Sequence, residues 1–166
     1  MRTSHFRHIP RRNRARGLTS KLKRHSTRFK LALAEENIEK QSKESIAAWE
    51  TMVKLFEILR GEQDLGNLAS EPMEAGTGYL VICDSIDEQL AMMEQKKIDR
   101  TRSTTISLRN ALNKIAHWKN TTFRVDGRGA HYILLSGNQF QTKWVAEIHI
   151  AKLCKNCATA IAAITG

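Results

Sequence analysis

The sequence predicts a mainly α fold: an irregular bundle of four to five helices with a small β-hairpin and a basic N-terminal arm. Three observations predict it. Apolar residues recur at steps of three and four over much of the chain. The clearest turn between β-prone residues is Asp126-Gly-Arg-Gly129. Residues 1–30 hold eleven Arg or Lys and no Asp or Glu. At 166 residues, the chain suits one domain with an appendage. The expected division is a basic arm at 1–27 and a single helical domain at 28–166. Within that domain, acidic helices occupy 28–97, a basic helix and hairpin 98–135, and a C-terminal helix 142–164.

The formal charge of +10 conceals blocks: +11 over 1–30, −10 over 31–95, +7 over 96–128 and +2 over 129–166. Such blocks speak to partners rather than to fold. In the arm, Phe6, Ile9, Leu18 and Leu22 are sparse, and Pro10, Gly17 and the clustered arginines oppose an isolated helix. The expectation is a segment that stays disordered until a partner offsets its ordering entropy.

Over 28–60, Leu31, Ala34, Ile38, Ser42, Ser45, Trp49, Met52, Phe56 and Leu59 draw one helical stripe. Glu36–Lys40, Glu39–Lys43 and Glu50–Lys54 support its other faces. Ser42 and Ser45 leave a kink or two shorter helices open, and Gly61 is the expected C-terminal cap. After a glycine-rich stretch, Tyr79, Ile82, Cys83, Ile86, Leu90 and Met93 favour a helix over 73–97. The competing reading is a strand at 79–83, then a helix capped by Ser85 with Glu88 three residues on. A helix over 104–119 would turn Leu108, Leu112, Ile115 and Ala116 inward. Segments 123–125 and 132–135 pair as the hairpin, with Gly127 and Gly129 supplying positive φ. In the last helix, Ile150, Cys154, Cys157, Ile161 and Ile164 form the apolar stripe.

No window reaches the roughly 18 apolar residues that span a bilayer, and the first thirty residues contain no signal-peptide core. Three cysteines (Cys83, Cys154, Cys157) point to free thiols in a reducing cytoplasm. No phosphate-cradling loop, nucleophile elbow or paired metal motif is present, so the expectation is a non-enzymatic protein without a cofactor.

The strongest binding signal is the arm. Arg7, Arg11, Arg12, Arg14, Arg16, Lys21, Lys23, Arg24 and Arg28 space cations densely enough to follow a phosphate backbone. Arginine's planar fork meets phosphate oxygens in pairs. In the second basic block Lys119, Arg124 and Arg128 stand beside Trp118, a stacking candidate, and Phe123. The favoured reading of the two rings is that they pin the hairpin to the core. Cys154-Lys-Asn-Cys157 invites a zinc reading with His149. Both thiols lie on the apolar stripe, so buried core cysteines are favoured.

The stretch 110–127, NALNKIAHWKNTTFRVDG, resembles a region of short, mainly helical proteins encoded by proteobacterial prophages and plasmids. Those proteins also open with an Arg/Lys-rich segment; together the two features cover about a third of the chain. The resemblance implies a mobile-element protein and brings no catalytic residues. Three functions follow as expectations. The first is a nucleic-acid-binding accessory protein, on DNA or RNA, that grips backbone phosphates with its arm. The second is a protein-binding adaptor or inhibitor, regulatory or anti-defence, acting through the acidic helices. The third is a homo-oligomer in which one copy's arm lies on another's acidic block.

Overall fold

The computed structural model describes the backbone of residues 5–165 and the side chains of residues 11–165. Two long helices, α1 (His5–Ala34) and α2 (Ile38–Asp64), run antiparallel: Arg11 meets Glu62, and His25 meets Glu44. The short α3 (Ser70–Met73) leads into β1 (Gly76–Cys83), followed by α4 (Ile86–Gln95), a 3-10 turn at Arg100–Arg102 and β2 (Thr104–Ser107). The chain continues through α5 (Leu108–Ala116), β3 (Asn120–Val125), β4 (His131–Gln139), β5 (Thr142–His149) and α6 (Ile150–Ala162). The strands form one antiparallel sheet ordered β2-β1-β5-β4-β3. The fold is therefore α+β, with a five-stranded sheet at its centre, and the expected helical bundle with a small hairpin is overturned.

The sheet divides the interior in two. On one face Ile106, Ile133, Leu135, Trp144, Ala146 and Ile148 pack with α1, α2, α5 and α6 as the main core. On the other, Val81, Cys83, Leu134 and Val145 pack under Met92 of α4 and Ile98. This burial on both faces explains the misread segments. The run 79–83 lies in β1, which pairs with β2 along one edge and β5 along the other, so its helical spacing is incidental. The alternative strand-then-helix reading holds here, since Ser85 accepts a hydrogen bond from the Glu88 N–H at 3.2 Å as the cap of α4. Residues 142–149 form β5 with alternate residues on opposite faces, and 104–107 form β2, so helices expected from 142 and 104 begin only at Ile150 and Leu108. The hairpin at 123–125 and 132–135 is present and longer than expected, and it joins the sheet.

The arm is no appendage. It is most of α1, whose Ala15, Leu18, Leu22, Phe29 and Ala32 belong to the buried interior. Pro10 and Gly17 lie inside this helix, because tertiary burial overrides weak local propensity. The continuous helix expected over 28–60 breaks at 35–37. There Glu36 adopts φ 55° and Asn37 caps α2, accepting from the Lys40 N–H at 3.0 Å. Leu31 and Ile38, assigned to its stripe, are 58% and 79% exposed. Gly61 lies within α2; the left-handed residue beyond its end is Gly66, φ 77°.

Gly137 of β4 faces the indole of Trp144, and a Cβ there would sit 2.5 Å from Trp144 Cζ2. Gly137→Ala is expected to destabilise the fold by about 1–3 kcal/mol, measured as a lowered urea midpoint at unchanged m-value.

Candidate nucleic-acid interface

Among the described side chains of α1 the buried ones are Ala15, Leu18, Leu22, His25, Phe29 and Ala32, with Thr19 beside them. Their steps of 3, 4, 3, 4 and 3 make a narrow seam of heptad type, which packs against α2 and α6. The seam's register places the cations. Arg14, Lys21 and Arg28 recur every seven residues as one row; Arg16, Lys23 and Lys30 form a second. At 3.6 residues per turn the rows stand about 160° apart around the solvent side of the axis, and cations in a row are about 10.5 Å apart. Between them lie Asn13, Gly17, Ser20, Arg24 and Thr27, all exposed.

Arg14, Arg16, Lys21, Lys23, Arg24 and Arg28 are exposed, and among the described residues none of them, nor Arg12, pairs with a carboxylate. Among the described residues, two contacts tie α1 to the acids of α2. Arg11 Nη1 lies 3.1 Å from the buried Glu62, and His25 Nδ1 lies 2.6 Å from Glu44 Oε2. Lys30 Nζ donates to the Gly129 carbonyl at 3.1 Å. The Arg7 side chain lies outside the described residues.

The second basic block is put to other uses. Trp118 packs edge-on against Trp49, centroids 5.5 Å apart, and Phe123 lies 5.3 Å from Phe29. Both rings thus pack against the main core. Arg124 sits on β3 with its guanidinium 4.2 Å over Tyr132, and its Nη2 donates to Glu147 Oε2 at 3.1 Å. Across the sheet Arg100 lies 3.8 Å over Tyr79 and donates from Nε and Nη2 to Glu147 Oε1 at 3.1 and 2.6 Å. Glu147, 1% exposed on the central strand, is the carboxylate that holds both guanidiniums flat. Lys119 and Arg128 are exposed. Arg128 rides a turn in which Asp126 Oδ1 accepts from the Arg128 and Ala130 N–H groups at 2.9 Å each. Of that turn's two glycines, Gly129 alone takes a left-handed φ, 80°.

Arg100, Tyr79 and Glu147 were invisible as a group in the sequence. One sign of them existed, since Glu147 is the lone acid in the largely apolar run 144–150 and needs a partner wherever that run is buried.

Cys154 and Cys157 are buried in the main core, where burial pushes the Cys154 thiol up to about 11 and raises Cys157 as well. His149 instead stacks on Tyr132 at 5.0 Å. Among the described residues, no group of three or more His, Cys, Asp or Glu side chains could hold a metal. Nor is any described helix long and apolar enough to cross a membrane. Compared with protein-family models, curated proteins and solved structures, the chain matches none.

His131 links α1 to the sheet. It stacks on Phe29 at 4.6 Å, and its Nδ1 lies 2.8 Å from Ser26 Oγ. Burial, reinforced by the nearby Lys30 and His149, lowers its pKa to about 4. The unfolded imidazole takes a proton near its ordinary value of 6.5, whereas the folded one resists until about 4. Stability is thus fully present above pH 6.5 and is lost as pH falls toward 4, by about 3 kcal/mol. Urea unfolding across that window should show this slope, and His131→Phe, which keeps the ring stack, should flatten it. Glu147→Gln should cost about 3 kcal/mol in the same assay, the low end for a broken buried pair, because the guanidiniums keep contact with water.

Proposed function

We propose that this protein is a non-enzymatic nucleic-acid-binding accessory protein whose binding surface is the solvent-facing side of α1. The observation that carries this reading is that six exposed cations on that side form no ion pair among the described residues. Fixed cations at regular spacing, with their repulsion uncancelled, attract a polyanion and release its condensed counterions on contact. Arginine supplies most of the fork-shaped donors this requires. Three buried free cysteines suit a reducing cytoplasm, and the likeness of 110–127 to mobile-element proteins suits an accessory role beside DNA or RNA.

A second reading, an adaptor acting through the acidic helix, draws support from a shallow groove on α2 lined by Ile38, Glu39, Ile46 and Glu50. Ile38 and Ile46 are 79% and 56% exposed there. A protein partner at that groove would be indifferent to the cations of α1.

Deleting residues 1–27 is not a usable test, since it would strip Ala15, Leu18 and Leu22 from the core. The triple variant Arg14→Gln/Lys21→Gln/Arg28→Gln alters exposed positions only. Titrating binding against salt, it should lower the slope of log affinity on log salt by about 2–3. An unchanged slope would remove α1 from the interface.

A further inference from the structure

The two cation rows of α1 specify which nucleic acid it fits. We infer that α1 binds duplex DNA by lying in the major groove, its two rows on the two phosphate backbones and the strip between them toward the base edges. This deepens the reading of α1 as a nucleic-acid-binding surface and rests on it.

The geometry supports each part. A single strand presents one backbone, for which one row of cations suffices; here Arg14, Lys21 and Arg28 stand about 160° from the exposed Arg16 and Lys23. Single-strand surfaces also stack bases on exposed rings, yet Phe29, the aromatic among the described side chains of α1, is buried. A helix about 10–12 Å across matches a B-form major groove about 12 Å wide. The A-form major groove of duplex RNA is too narrow and deep to admit it.

The strip itself is shaped for entry. Asn13, Gly17, Ser20 and Thr27 are small and exposed, and Arg24 is the long side chain among them. Amide, hydroxyl and guanidinium groups are those that read adenine and guanine edges in this groove. From 14 to 28 the rows cover about 21 Å, roughly six base pairs. The neighbouring element also suits a polyanion. α6, which reaches α1 near Lys23, contains no Asp or Glu and exposes Lys152 and Lys155.

The test is equilibrium binding of the full chain to four probes of one sequence: duplex DNA, duplex RNA, single-stranded DNA, and duplex DNA whose major groove is filled by glucosylated hydroxymethylcytosine. At about 150 mM salt the plain DNA duplex should bind at least about tenfold more tightly than any of the other three. A minor-groove drug should leave its binding unchanged. Ser20→Trp, bulky but uncharged at an exposed position, should weaken duplex binding about tenfold and leave single-strand binding alone. Equal affinity for RNA or single strands, or indifference to groove filling, overturns the groove placement while leaving the cationic surface standing. Absence of binding to every probe at about 50 mM salt overturns both.

Discussion

The whole arrangement depends on a contest within α1 between apolar burial and charge repulsion. Six described side chains one heptad stripe wide are withdrawn from water, while the ten Arg and Lys residues of the helix repel one another. Each large apolar side chain fully buried contributes on the order of 1.5–3 kcal/mol. Exposed like charges spaced near a Debye length, about 8–10 Å, repel far more weakly at physiological salt. Burial therefore wins, and the register that secures it decides which way every arginine points. The seam is narrow, so most of the circumference of α1 remains free to carry charge.

A different solution operates on the sheet. There a carboxylate is buried outright on the central strand, and two arginines from flanking segments are brought down onto tyrosine rings to satisfy it. Six exposed cations of α1 thus form no ion pair among the described residues, whereas Arg100 and Arg124 are held in place by a buried carboxylate. Sequence alone weighs all of them equally as positive charge; the fold separates a surface available to partners from a network that covers the sheet.

The legibility of the sequence followed the number of faces each element buries. α2 beyond Trp49 and α6 bury one stripe, and Met52, Phe56, Leu59, Cys154, Cys157 and Ile161 were placed inward from spacing alone. β1 and β5 are apolar on both faces, so alternation vanished and chance spacings mimicked a helix. The arm failed for another reason. Its seam includes Ala15, His25 and Ala32, residues that carry little hydrophobic signal and become a seam only when α2 and α6 exist to receive them. The cations of the candidate site were thus visible as composition, but their two-row arrangement was not, since it depends on which side of α1 the fold conceals.

Because α1 is at once the charged surface and a wall of the main core, occupancy and folding are thermodynamically linked. Any polyanion that prefers the folded chain adds to its stability by mass action, about 2.7 kcal/mol at a hundredfold excess over the dissociation constant. Without one, the ionic atmosphere stands in: dilute buffer leaves the rows straining against the seam that anchors them, and added electrolyte relaxes them. The first segment to loosen in dilute buffer would then be the same helix that a ligand would hold most firmly.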